Sequence, residues 1–209
     1  MLAYGLPAEW SSLKKLIFLK ASILKGSSLP KEYRELLGFS MNNDCYFEIT
    51  DFKLKGSDTL RFSFSASVAC NILGCYTTGA AQTNYSLYVA TSSGKYMRYN
   101  GGTANSTITA NEKYNVVMTP NGATGLGAAV TWEPKDFTAA SDLCIGTTST
   151  GAASSKLVGS LYGRIIVDGR LNLIPCERIA DNVLGYYDSH SKKFYEPAAG
   201  TPTSLGIKT

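Results

Sequence analysis

The residues of this chain that could do chemistry are few and poorly grouped. His190 is its only histidine, and it stands in the turn-like run Asp188-Ser189-His190-Ser191. A hydrolase triad needs a base beside its nucleophile, and a lone histidine among turn residues reads as a solvated loop side chain. Glycoside hydrolysis needs two carboxylates facing one sugar. Glu48 and Asp51 are the nearest approach, and their spacing puts them on opposite faces of a regular strand. The glycine-rich segment 121–127 lacks the Gly-Lys-Ser/Thr ending of a phosphate loop, and no βαβ unit follows it. It reads as a flexible hairpin loop. Asn42, Asn43 and Asp44, with Asp51 and Asp58 nearby, lack the spacing of a calcium loop, and turn chemistry accounts for them at least as well. The expectation is a chain with no catalytic residues, no cofactor and no metal, and so not an enzyme.

Contact chemistry is better represented. There are 13 tyrosines, and Tyr76, Tyr85, Tyr88, Tyr96 and Tyr99 fall in a central stretch rich in Ser, Thr, Asn and Gly. Tyrosine joins an apolar face to a polar tip, and small polar neighbours give adaptable hydrogen bonding. Tyr85, Tyr88, Tyr96, Arg98 and Tyr99 are the expected receptor or glycan contacts. The alternative is tyrosines packed over sheet edges, which is ordinary in strands.

Composition narrows the class. A chain of 209 residues with 44% hydrophobic and 17% charged residues is a folded domain with a neutral-polar surface. The net charge of +4 is small, and the basic residues are scattered apart from Lys14, Lys15, Lys20 and Lys25, so no nucleic-acid face is expected. Cys45, Cys70, Cys75, Cys144 and Cys176 are odd in number and form no Cys-x-x-Cys pair. Within apolar runs they read as free thiols acting as small buried hydrophobes. No apolar run approaches the length of a membrane span. The first ten residues carry no Lys or Arg, and Lys20 interrupts the apolar run 16–24, so a secretory leader is not expected.

One helix is expected, at 7–25. Pro7 suits its first turn, Trp10, Leu13, Ile17, Ala21 and Leu24 recur at helical spacing, and Gly26 ends it. Phe18 and its apolar neighbours widen the stripe, so the helix must bury most of its circumference. It could pack on the rest of its own chain, dock onto another copy or an assembly partner, or lie in a membrane interface. Trp10, Leu13, Ile17, Phe18 and Leu24 are its expected assembly residues.

After a connector at 26–43 the chain reads as strands and turns. In 59–70, Leu60, Phe62, Phe64, Ala66 and Val68 alternate with Arg61, Ser63, Ser65 and Ser67, the pattern of an antiparallel sheet with one solvated face. Further strands are expected at 45–52, 72–76, 86–90, 95–99, 114–119, 127–132, 143–146, 161–167, 171–175, 183–187 and 193–195. Asp168-Gly169 predicts a type I′ hairpin turn. About a dozen short strands without a repeat read as a two-sheet sandwich or jelly roll.

The end of the chain carries a resemblance. Gly163, Ile165, Asp168-Gly169, Leu171, Ile174-Pro175-Cys176, Gly185, Tyr187-Asp188, Lys193-Phe194-Tyr195 and Gly200 form one series, and Leu29-Pro30, Tyr33 and Leu36 form an opening motif. Together they resemble the laminin-G/concanavalin-like jelly-roll module of phage structural proteins and gut-bacterial surface proteins, over residues 29–206.

The resemblance implies an all-β, antiparallel concanavalin-like sandwich at 29–209 behind a helical arm at 1–28. It implies a non-enzymatic virion component: a head fibre, tail fibre, or receptor-binding or decoration part. The arm would contact other virion proteins and oligomerise the chain, a trimer by analogy with fibres. The sandwich would meet a host-surface glycan or protein, with no nucleic acid and no membrane span involved. Such a protein is made in the host cytoplasm and released by lysis. The alternative is a bacterial surface carbohydrate-binding, lectin-like module.

Overall fold

The computed structural model describes residues 29–77, 85–89, 95–99, 102–106, 108–126, 129–150 and 156–209. The expected helical arm, with Trp10, Leu13, Ile17, Phe18 and Leu24, lies outside the described residues.

Among the described residues the secondary structure is strands. In chain order these begin with β1 (Tyr33–Glu35), β2 (Gly38–Met41), β3 (Tyr46–Ile49), β4 (Leu60–Ala66), β5 (Cys70–Cys75) and β6 (Tyr85–Val89). There follow β7 (Lys95–Tyr99), β8 (Gly102–Ser106), β9 (Tyr114–Thr119), β10 (Gly122–Thr124), β11 (Val130–Thr131) and β12 (Leu143–Ile145). The last are β13 (Gly159–Val167), β14 (Leu171–Arg178), β15 (Val183–Asp188), β16 (Lys193–Tyr195), β17 (Pro197–Ala199) and β18 (Thr203–Ser204).

They form two antiparallel sheets. The larger runs β11-β10-β9-β4-β13-β14-β15-β16, with β1 on β14 and β2 between β13 and β18; the smaller runs β17-β3-β12-β5-β6-β7-β8. The antiparallel two-sheet sandwich expected from the alternation is therefore the architecture.

Period-2 alternation builds the core. On β4, Leu60, Phe62, Phe64 and Ala66 point between the sheets and are buried, while Arg61 and Ser63 face outward. Val68, which continues the alternation in sequence, lies past the strand's end and is exposed. Phe39 from the larger sheet stacks on Phe47 from the smaller at 5.6 Å, and Tyr186 meets both rings edge-on at 5.1 and 4.9 Å. Each such buried side chain contributes about 1.5–3 kcal/mol, so this trio clamps the sheets together. All five cysteines are free and buried.

Several local expectations are corrected. The connector at 26–43 contains β1 and β2. The glycine-rich 121–127 is not a plain loop, because Gly122–Thr124 is β10, paired with β9 and β11. Asp51 lies past the end of β3 at φ 66°, so it does not share a strand with Glu48. The hairpin at Asp168-Gly169 forms, but as a three-residue connection: Val167 pairs with Leu171, Arg170 N–H donates to Val167 C=O at 2.9 Å, and Gly169 is the one connecting residue with positive φ, at 71°. That is the glycine position of a type II turn, not the two positive-φ residues of type I′.

The larger sheet is forked. The second half of β13 pairs with β14 through Ile165, Ile166 and Val167. Its first half pairs instead with β2, from Gly159↔Met41 to Tyr162↔Gly38. A bulge over 163–165 separates the halves along β4. Beyond Leu173, β14 takes β1 as its neighbour, with Glu35 opposite Cys176. Pro175 marks the changeover. Its carbonyl accepts the Leu36 N–H at 2.8 Å, and its missing donor faces the same side, in the gap between β13 and β1, where no ladder bond is lost.

Gly38 makes the crossing possible. A Cβ there would lie 2.1 Å from the Leu161 carbonyl oxygen, so only glycine lets β2 approach β13 at the fork.

Candidate functional site

The fork opens on the solvent face of the larger sheet as a groove of about 490 Å³, lined by Glu35, Leu36, Leu37, Ser63, Lys113, Tyr162, Gly163, Arg164 and Lys208. Five separated segments converge there. β1 ends in Glu35, the crossing supplies Leu36 and Leu37, β4 supplies Ser63, the approach to β9 supplies Lys113, and the bulge of β13 supplies Tyr162 to Arg164. The chain's last residues close it. Thr203 pairs with Ser40, Ser204 with Phe39 and Ile207 with Leu36, and Lys208 N–H donates to the Glu35 carbonyl at 3.0 Å.

The bulge sets the floor. Gly163 has φ 61° and its N–H donates to the Leu37 carbonyl at 2.8 Å. A Cβ at this position would meet nothing within 4 Å, so the space above Gly163 is open. Tyr162 and Arg164, the chain neighbours of Gly163, line the groove with it.

Charge is organised around one carboxylate. Glu35 Oε1 accepts from Lys208 Nζ at 2.7 Å and from Arg164 Nη2 at 3.3 Å. The Glu35 side chain is 10% exposed, against 31% for Arg164 and 50% for Lys208. Burial alone would push its carboxyl up, but the hydrogen bond from Lys208 and the Arg164 guanidinium outweigh burial and hold it below the usual glutamate range. Glu35 is thus a fixed anion that orients two cations.

Lys113 Nζ stands over the Tyr162 ring, 4.6 Å from its centroid, a cation–π contact. No carboxylate lies within ion-pair distance of it among the described residues. Tyr162 is fixed at its far end, where its hydroxyl lies 3.1 Å from Ser65 Oγ. Ser63 Oγ donates to Asn115 Oδ1 at 2.7 Å. Leu37, 49% exposed, adds an apolar wall. The arrangement can hold a ligand with hydroxyls, an apolar face and complementary charge.

The residues expected to make contacts lie on the other sheet. Tyr85 and Tyr88 are on β6, Tyr96, Arg98 and Tyr99 on β7, in the register Tyr85↔Tyr99, Ser86↔Arg98 and Tyr88↔Tyr96. Leu87 is buried between the sheets. By strand alternation Tyr85 and Tyr99 occupy positions on the Leu87 face, whereas Tyr88, Tyr96 and Arg98 occupy positions on the opposite one. The register brings Tyr88 and Tyr96 together and divides the five between two faces.

Other sequence candidates have structural employment. Asp188 accepts N–H bonds from Asn172, His190 and Ser191 at 2.9, 3.1 and 2.9 Å, so His190 is an exposed residue of a turn organised by Asp188. Asn42 Oδ1 accepts the Asp44 N–H, Asn43 Oδ1 accepts the Lys156 N–H, and Asp58 accepts the Lys55 N–H and pairs with Arg170. Among the described residues no group of three His, Cys, Asp or Glu side chains could hold a metal ion, and no helix is long and apolar enough to cross a membrane.

Sequence reasoning singles out none of Lys113, Tyr162, Arg164 and Lys208. No local signal marked them: Leu161, Ile165 and Val167 are the buried positions of β13, and Arg164 falls on the other parity like an ordinary solvent-face residue.

No family model matches the chain and no curated protein matches it. Among solved structures, the Ruminococcus gnavus IT-sialidase CBM40 bound to alpha2,3 sialyllactose is similar, with a TM-score of 0.43 and 17% sequence identity over 68% of this chain and 92% of that chain.

Proposed function

We propose that the chain is a non-enzymatic, lectin-like binding module that holds a saccharide in the groove of the forked sheet. The observation that carries this reading is the groove's lining: one fixed aromatic ring, an exposed leucine and several oriented polar donors around a space of about 490 Å³. Sugars present hydroxyls on their edges and C–H groups on their faces, and pockets that bind them combine an apolar surface with a few placed polar groups. A binding role suits the carboxylate as well. Glu35 is held ionised by two cations, the reverse of the raised pKa a general acid needs.

A screen of the full 209-residue chain against immobilised oligosaccharides, followed by calorimetry, tests the reading. Binding should be lost on Tyr162→Ala and on Gly163→Leu, which fills the open floor. Binding that persists unchanged in both variants would remove the groove from the function.

A place in a virion is the second reading and rests on the resemblance of residues 29–206. Its arm, its homotrimer and its virion partners depend on residues 1–28. Immunogold labelling of particles from the source culture separates the two: label on heads or tails supports a virion part, and label confined to cell envelopes supports a bacterial surface module. Tyr85, Tyr88, Tyr96, Arg98 and Tyr99 are a proposed host-contact surface in either setting, tested by alanine at Tyr88, Tyr96 and Tyr99 with host-surface binding as the readout.

A further inference from the structure

This inference rests on the groove being a saccharide site and narrows its ligand: we propose that the ligand is an acidic saccharide, held through a carboxylate or sulfate by Arg164 and Lys113, with Lys208 adding positive charge beside Glu35. The lining carries three cations and one carboxylate, so it keeps a surplus of two positive charges after Glu35 is counted. Glu35 is already satisfied, since both of its oxygens are engaged by Arg164 and one also by Lys208.

The donors are far from exhausted. A guanidinium offers five N–H groups and an ammonium three. Arg164 commits only Nη2 to Glu35, at the long distances of 3.3 and 3.5 Å, and remains 31% exposed at the groove. Lys208 commits one bond and is half exposed. Lys113 rests on the Tyr162 ring with no carboxylate near it among the described residues. A neutral sugar would leave these cations facing a partly desolvated groove without counter-charge. An anionic group completes them with charge-assisted hydrogen bonds, about twice as strong as neutral ones.

Two features speak for a sugar acid over a bare anion. The open space above Gly163 exceeds what one anionic group fills, and Leu37 and the Tyr162 ring offer apolar surface that only the C–H face of a larger ligand can cover. Glu35 adds selectivity. Its fixed negative charge repels an anion on its own side, so the acidic group belongs toward Lys113 and the bulge, with hydroxyls toward Glu35.

The test uses the full chain and matched pairs of oligosaccharides: a uronate with its carboxyl-reduced counterpart, and a sulfated sugar with its desulfated counterpart. The acidic member of at least one pair should bind about tenfold tighter or more, and the responding pair identifies carboxylate or sulfate as the group. The preference should shrink between about 0.05 and 0.5 M salt. Lys113→Gln should cut it about tenfold, read as the ratio of acidic to neutral affinity within each pair. That variant leaves the Glu35 pairs intact, so it remains informative if Arg164→Gln fails to fold.

Equal binding of acidic and neutral members, abolished for both by Tyr162→Ala, would leave the module a saccharide binder and overturn the acidic preference. Binding to neither member of either pair overturns the preference together with the saccharide reading.

Discussion

Lys208 Nζ lies 2.7 Å from Glu35 Oε1, joining residues 173 positions apart. The contact is the outermost rung of a longer docking. The stretch 203–208 runs antiparallel along 35–40 through β18, the Leu36↔Ile207 bridge, and the Leu37 N–H to Gly206 and Lys208 N–H to Glu35 bonds. Lys208 is half exposed and Glu35 keeps Arg164 when the lysine is lost, so the pair belongs with surface pairs, which contribute about 0–1 kcal/mol. Lys208→Gln should therefore lower unfolding free energy by less than about 1 kcal/mol in urea titration. A loss of several kcal/mol would mean that the ion pair, not the backbone ladder, holds the tail in place.

Asp188 anchors the other end of the larger sheet. Its buried carboxylate accepts three backbone N–H bonds, from Asn172, His190 and Ser191. Hydrogen bonds to charged groups are worth about 1.5–3 kcal/mol, and stranded donors add desolvation. Asp188→Ala should cost about 3 kcal/mol or more, and Asp188→Asn, which keeps one acceptor, should cost less. Equal and small losses for both variants by denaturant unfolding would contradict this role.

Two depressed carboxyls with little exposure, those of Asp188 and Glu35, set a pH dependence. Burial opposes ionisation of Asp188, yet the N–H groups of Asn172, Ser191 and His190 prevail and hold it below the usual aspartate range. Glu35 behaves alike under Lys208 and Arg164. A folded pKa below the unfolded one gives stability that is present above the unfolded value and lost as pH falls through the folded one. The thermal midpoint should be flat from about pH 5 to neutrality and fall below about pH 4. Asp188→Asn should flatten the acid limb, and an acid limb identical to the parent's would assign the loss to other groups.

The thiols should be inert in the folded protein. Burial raises Cys45, Cys75, Cys144 and Cys176 to about 12, and Cys70 is raised as well. A thiol reagent at neutral pH should label none of the five quickly in the native state and all five in denaturant. Fast labelling of a single cysteine without denaturant would expose a local opening at that strand.

Two glycines of the fork should respond differently to alanine. At Gly38 the new Cβ would sit 2.1 Å from the Leu161 carbonyl oxygen, a clash with backbone that forces β2 from β13. At Gly163 it meets nothing within 4 Å, and only the left-handed φ of 61° is penalised, by about 1–2 kcal/mol. Gly38→Ala should therefore be the more damaging by calorimetry, and the reverse order would refute the fork's geometry.

The strands readable from the chain are those whose signal is local. Lys95–Tyr99, Tyr114–Thr119 and Lys193–Tyr195 have the bounds their patterns predict, and β4 alternates as its residues do, because a strand with one buried face writes that face into every second residue. β1 and β2 were not readable. Three and four residues long, they are held by β13 and β14, more than a hundred residues away, and a connector carrying Pro30 hides pairing that only distant partners impose.

The opening and closing motifs of the resemblance prove to be one packing unit. Tyr33 lies 5.0 Å from the Tyr187 ring and 5.2 Å from Phe194, and Arg178 covers Phe194 at 5.0 Å. Those residues report the fold and not the ligand. The groove was hidden for the opposite reason. Its lining comes from segments spread from residue 35 to residue 208, with no spacing to detect, and Arg164 sits at an ordinary outward position of its strand.

The tail that closes the groove also dates it. During translation, Glu35, Tyr162 and Arg164 emerge long before Lys208, and the edge along residues 35–40 has no partner until 203–208 leave the ribosome. A chain cut before residue 203 loses Lys208 and the strand partner of 35–40, and with them the closed groove, while the aromatic clamp at the centre of the sandwich keeps all its rings.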